Sequence, residues 1–278
     1  MADQNDIFKQ SEDKTTLSSG AKDNGGMEVP VELISLPSKG LLYPQSHPLY
    51  DEETVEIKAM TAREEDLLTS RALIKNKTVT TALMKACILN KLVDPDDLLI
   101  GDRNALLIGI RVTGYGTDYG IKIQCPSCSE EFENHFSLGG LKIKPLSAAP
   151  IQPNINLFSF RLPLTGQEVQ FRLLTGKDET EMDLISDRRK KLGSQVENSV
   201  TSRIFQSIVS INGETDRGKL SNAVNSLRAA DARALRNYMK QISPDVDMKQ
   251  EATCTKCATV SEVDVPIGPT FFWPDIDL

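Results

Sequence analysis

The sequence predicts an α+β fold in which a helical N-terminal part joins a four-cysteine ribbon, with a second α+β unit inserted between the ribbon's two halves. Three observations predict it. Apolar residues recur at helical spacing between Thr61 and Thr113, alternating apolar residues flank two Cys-x-x-Cys pairs, and the stretch between the pairs runs from strand patterning to helix patterning.

The elements can be taken in chain order. Residues 1–28 read as a flexible N-terminal arm, because 1–26 is polar, poor in aromatics and mixed in charge, so burial cannot offset the entropy of ordering it. Order is expected from about Val29, where Val31, Leu33 and Ile34 lead into the turn Pro37-Ser38-Lys39-Gly40. Thr61-Ala62-Arg63-Glu64 is a capping box that starts a helix to about Asn76. Val79, Leu83 and Cys87, with Met84 and Ile88, mark the apolar face of a second helix ending near Lys91. Asp102 is placed to cap a third, from Arg103 to about Thr113. Its run of Ala105, Leu106, Leu107, Ile108, Ile110 and Val112 leaves almost no polar side, so it belongs at the centre.

After Gly114-Tyr115-Gly116, read as a helix stop, the period changes to two. Tyr119, Ile121 and Ile123 alternate into Cys125, and Phe132 and Phe136 follow Cys128. Residues 29–138 together with 246–267 are therefore expected to form one helical and ribbon domain. Residues 139–245 form the inserted α+β domain, with a hairpin over 155–163 and 169–174 and helices over 178–192, 196–211 and 220–242. Residues 268–278 remain as an aromatic C-terminal tail.

Cys125-Pro126-Ser127-Cys128 and Cys254-Thr255-Lys256-Cys257 carry the chemistry. A two-residue spacing lets both thiolates of one tight turn reach the same ion, so two pairs complete the tetrahedron of a structural zinc ribbon with Cys125, Cys128, Cys254 and Cys257 as ligands. Four sulfurs leave no coordination place for a water, which removes hydroxide or Lewis-acid catalysis. About 125 residues separate the pairs, far more than in a compact ribbon, but loop closure costs free energy only logarithmically, so a folded insertion with neighbouring ends resolves the gap. A redox couple fits less well, since such motifs open a helix in a βαβ setting and these pairs sit between strands. The fifth cysteine, Cys87, lies on an apolar helix face as a small hydrophobe.

No catalytic residue is assigned. His47 and His135 stand near no serine or cysteine nucleophile motif, and no phosphate-binding glycine loop is present. Glu64, Glu65 and Asp66 complement a helix dipole. The net charge of −7 opposes nonspecific nucleic-acid binding, and Arg188-Arg189-Lys190-Lys191 reads as a solvated helix face. No apolar run reaches the ~20 residues of a membrane span, and residues 1–26 lack the apolar segment of a signal peptide, so maturation in a cytoplasm is expected. The ending Phe271-Phe272-Trp273-Pro274-Asp275-Ile276-Asp277-Leu278 is not expected to be helical. It either folds back into the core or docks Phe271, Phe272 and Trp273 into a partner.

Four stretches carry a resemblance: Leu36-Pro37-Ser38-Lys39-Gly40-Leu41-Leu42-Tyr43-Pro44, Met60-Thr61-Ala62-Arg63-Glu64-Glu65-Asp66, Leu98-Leu99-Ile100-Gly101-Asp102-Arg103-Asn104, and Gly114-Tyr115-Gly116 followed by Cys125-Pro126-Ser127-Cys128. In that order they resemble the baseplate hub proteins of T-even-like contractile-tailed bacteriophages. The resemblance implies a non-enzymatic structural component or assembly factor of the hub, with other phage tail proteins as partners. It would work in the host cytoplasm during assembly and as a resident of the tail if retained. The other function considered is a zinc ribbon that binds nucleic acid.

Overall fold

The structure, a computed structural model, describes residues 7, 21–22, 28–191, 199–265, 267 and 269–272. Within them helices and small antiparallel sheets mix as an α+β protein. Of the expected N-terminal arm, Ile7 is fully buried and its carbonyl accepts the Ser35 N–H at 2.9 Å. A short ladder also joins β1 (Ala21–Lys22) to β2 (Glu28–Val29); the remainder of the arm lies outside the described residues.

The hairpin β3 (Val31–Ser35) and β4 (Thr54–Lys58) follows, with Ile34 and Ile57 on its buried face. The expected helix to Asn76 is two helices, α1 (Ala62–Leu68) and α2 (Arg71–Lys75). The capping box forms as read, but Thr69 and Ser70 interrupt the run. The Thr69 hydroxyl donates to the Asp66 carbonyl, and Ser70 adopts the extended conformation that starts a new helix. Next, α3 (Val79–Cys87) ends short of Lys91, whose ammonium donates to the carbonyls of Lys85, Ala86 and Ile88 and so caps it.

At the centre runs α4 (Ile100–Tyr115), buried as its apolar run requires. It starts before Asp102 and ends at Gly116, whose φ of 81° is a glycine conformation. Asp102 is therefore no cap. It sits inside the first turn, fully buried, and reaches sideways into the loop 36–44. Its carboxylate accepts the Ser38 N–H at 2.9 Å, the Ser38 hydroxyl at 2.6 Å and the Tyr43 hydroxyl at 2.7 Å. Both hydroxyls then accept in turn, from the backbone N–H groups of Gly40 and Leu99. Burial still outweighs these donors and raises the Asp102 pKa. The loop itself requires Gly40, where φ is +73° and a Cβ would stand 2.4 Å from the Glu52 nitrogen.

Beyond α4 come the hairpin β5 (Asp118–Gln124) and β6 (Glu131–Ser137), then β7 (Ile143–Lys144). In the stretch 139–245, β8 (Phe158–Arg161) and β9 (Glu168–Phe171) pair as expected, and α5 (Gly176–Lys191) matches its pattern. The expected helix 196–211 is instead α6 (Ser199–Ser207) followed by β10 (Ile208–Ile211), while 196–198 lie outside the described residues. Ile208, Val209 and Ile211 suit a strand, and the open edge of β9 supplies the partner. Likewise 220–242 is not one helix. Ser226 bonds back to the Asn222 and Ala223 carbonyls, ending α7 (Arg217–Asn225) before α8 (Ala229–Ile242).

The chain returns through β11 (Asp245–Val246), which pairs with β7 so that Asp245 lies opposite Lys144. The 139–245 stretch thus leaves and re-enters the body at adjacent strands. It also packs directly on α4, since a Cβ on Gly101 would stand 2.0 Å from the Pro244 carbonyl, and one continuous set of buried side chains spans both regions. The chain closes with β12 (Lys249–Thr253), β13 (Val260–Asp264) and a single helical turn, α9 (Pro269–Phe272), where no helix was expected.

Two stability measurements test these polar contacts. Asp102→Ala strands three buried donors and should cost about 3 kcal/mol in urea unfolding, with Asp102→Asn costing less because one acceptor survives. At Asp178, at the start of α5, burial pushes the pKa up, but the Arg172 guanidinium and the Thr175 N–H outweigh it and lower the pKa to about 2. Its folded pKa is below the unfolded value of about 3.9, so its contribution is complete above pH ~4 and lost as pH falls toward 2. Asp178→Asn should flatten the stability profile in that window, by about 2 kcal/mol at most.

Candidate metal centre

Each cysteine pair occupies the tip of a hairpin. In the first, Gln124 pairs with Glu131 and the loop 125–130 turns between them; in the second, Thr253 pairs with Val260 around the loop 254–259. The two loops share one backbone pattern. The N–H of Ser129 donates to the Cys125 carbonyl at 2.9 Å and that of Ala258 to the Cys254 carbonyl at 3.0 Å. The N–H groups of Cys125 and Cys254 close the loops on the carbonyls of Glu130 and Thr259, at 2.8 and 3.0 Å. Ser129 and Ala258 both take φ of 57°, a left-handed conformation that non-glycine residues adopt at a cost of roughly 1–2 kcal/mol. Two loops at distant sequence positions holding the same strained turn indicates that the turn serves the thiols it orients.

The two tips face each other. Cys125 Sγ lies 3.6 Å from Cys257 Sγ, Cys128 Sγ lies 3.7 Å from Cys254 Sγ, and all four sulfurs fall within 4.8 Å of one another. These distances are far beyond the ~2.05 Å of a disulfide. The two short contacts match the ~3.8 Å edge of a tetrahedron with metal–sulfur bonds of about 2.3 Å. Each short contact joins the first cysteine of one loop to the second of the other, so a shared ion would crosslink the hairpins. Lys256 and Glu130 add an ion pair of 2.5 Å from loop to loop. In the strands next to the cysteine loops, Ile123, Phe132 and Ala252 are buried and give the tips an apolar base.

The thiols are electrostatically unequal. The Thr259 hydroxyl and backbone N–H, followed by the Cys128 thiol, bring Cys257 down to about 6. A Glu130 backbone hydrogen bond pulls Cys128 down, but burial and the three neighbouring thiols outweigh it and push Cys128 up to about 12. The Cys257 thiolate thus forms readily while Cys128 holds its proton, which a bound cation would displace.

The other candidates lie elsewhere. Cys87 is fully buried on α3 and pushed up to about 12 by that burial. His47 stacks on Tyr43 with ring centroids 4.4 Å apart, and His135 Nδ1 lies 2.9 Å from an Asp118 carboxylate oxygen. Neither belongs to the cysteine group. Phe271 and Phe272 are buried, and Trp273 lies outside the described residues. Phe271 packs on Tyr119 at a centroid distance of 5.0 Å.

Sequence reasoning missed what holds that segment. Arg111, a cation within the apolar run of α4, donates to the carbonyls of Phe271, Gly116 and Asp118, and lies over the Tyr115 ring at 4.8 Å. An arginine interrupting an otherwise apolar helix was the available signal. Thr259, two residues past the last cysteine, was likewise unread.

A family model described as T4 bacteriophage base plate protein matches residues 33–273, which include both cysteine pairs and α9. No curated protein and no solved structure gives a significant match.

In chelator-treated protein at neutral pH, iodoacetamide should alkylate exposed Cys257 first, and Cys87 only on unfolding. Peptide mass mapping over time checks the order; early labelling of Cys87 would contradict the packing of α3.

Proposed function

The chain belongs to the T4 bacteriophage base plate protein family, and from that premise we propose that it is a non-enzymatic component or assembly factor of the baseplate hub, held rigid by one structural zinc. The family match carries the reading, because it spans nearly all of the described body. Tail proteins are accordingly its partners, met in the host cytoplasm while the tail is built.

Zinc is the metal that the donor set favours. Four thiolates at tetrahedral spacing suit a soft or borderline ion without geometric preference of its own, and paired Cys-x-x-Cys turns between strands are a structural-zinc arrangement. The coordination shell is full, so the ion fastens and does not react. What it fastens is the two ends of the body, since one knuckle follows α4 and the other follows the long insertion. The chain's own residues then act by shape: two crosslinked hairpins standing on a central helix form a stiff platform. The aromatic ending, Phe271, Phe272 and Trp273, remains the candidate docking segment, with Phe271 and Phe272 buried against the body.

Purified chain should carry one zinc per molecule by elemental analysis. Cys254→Ser should abolish that stoichiometry and cost several kcal/mol, a large share of a domain's ~5–15 kcal/mol. In infected cells, tagged chain should copurify with other tail proteins, and its deletion should stop tail assembly. Tails that form normally without it would refute the baseplate role, whereas a metal-free but functional chain would refute only the zinc.

A further inference from the structure

A cleft of about 1010 Å³ opens between α6 and α8, the start of α4 and the strand that returns toward the second knuckle. The chain as a whole is acidic, with a net charge of −7, yet Lys144, Arg172, Arg203, Arg236, Lys240 and Lys249 line this cleft against three carboxylates. Three of these cations are already engaged. Arg172 is held by Asp178, Lys249 by Glu262, and Lys144 donates to the Lys240 carbonyl. Arg203, Arg236 and Lys240 are exposed and have no carboxylate partner among the described residues. Arg236 and Lys240 stand four apart on α8 and so share a face, and Arg203 joins them from α6. The excess of cations over carboxylates on this concave wall concentrates a positive potential around Arg203, Arg236 and Lys240.

The rest of the lining selects the class of ligand. The floor is aliphatic, with Leu99, Leu174, Ile204 and Met239. The returning strands contribute Asp245, Asp247 and Asp264. Those carboxylates oppose any polyanion, but a nucleic-acid backbone would in addition leave the aliphatic floor uncovered. A polypeptide that alternates acidic and apolar side chains satisfies both surfaces, because successive side chains of an extended strand point to opposite sides.

We propose that this cleft is a docking groove for an extended acidic segment of a neighbouring tail protein. The proposal rests on the baseplate reading and adds to it the chemistry of one contact. The test compares the full chain with a variant carrying Arg203→Glu, Arg236→Glu and Lys240→Glu. The probe is a fluorescein-labelled peptide of alternating Asp and Leu, followed by anisotropy, with duplex DNA of equal charge as competitor. Wild-type chain should bind the peptide saturably, and the variant, at an unchanged melting temperature, on the order of thirtyfold more weakly. DNA should not displace the peptide. Equal binding by the folded variant, or displacement by DNA, overturns the proposal. If the charge reversals prevent folding, the Arg203→Gln, Arg236→Gln and Lys240→Gln variant takes their place with the same criteria. In infected cells the two readings separate: tails that form without the chain remove the baseplate role, whereas tails that need the chain but accept the variant remove only the groove.

Discussion

Two hairpin tips whose cysteines stand 126 positions apart in sequence must hold four sulfurs within 4.8 Å. That constraint orders much of the rest. The chain has to leave the first hairpin, build the β8–β10 sheet with its helices, and come back to a defined place. The two-residue pairing of β7 with β11 accomplishes the return, and the close approach of Gly101 to Pro244 fixes it against α4. Without that ladder the second hairpin would have no fixed origin, and the entropy of a long open loop would oppose every sulfur contact. The four sulfurs meet at the outer end of a closure whose inner end is made by backbone hydrogen bonds and packing.

The central helix shows how a buried element can be apolar in pattern and still polar in function. Asp102, Arg103 and Arg111 are all buried on α4, and each ties in a different part of the chain. Asp102 gathers the loop 36–44. Arg103 donates to the Pro95 carbonyl at 2.5 Å and reaches Thr81 on α3. Arg111 holds the carbonyls at the start of the first hairpin and at Phe271. Such groups are expensive to bury, and they are tolerated because the backbone groups and hydroxyls around them are satisfied; among the described residues no buried side-chain nitrogen or oxygen lacks a partner. The helix therefore joins elements that hydrophobic packing alone would leave free to slide.

Ordered packing and accessible surface meet at the return of the insertion. The α4 contacts order the body, and the cationic cleft lies along them and α8, where side chains of the insertion meet those of the returning strand. A part that joins neighbours in an assembly needs both: a frame that does not deform and a surface whose charge departs from that of the whole.

Some of this was legible in the amino-acid order because it is local. The two-residue cysteine spacing names the four thiols that come together, alternation around it names the hairpins, and the apolar run names the buried helix, since each depends only on side chains a few positions apart. The breaks at Thr69-Ser70 and Ser226, and the strand at 208–211, follow instead from competition between local helix preference and a distant partner such as the open edge of β9. Asp102 reads locally as a cap and becomes a buried acceptor only because the loop 36–44 comes to lie against it. Phe271 and Phe272 read equally as core or as docking residues until Arg111 and Tyr119 supply a place for them. Composition and spacing thus determined which residues could bind metal and which must be buried. Tertiary structure decided which buried polar group meets which, because that depends on distances between segments that no local period encodes.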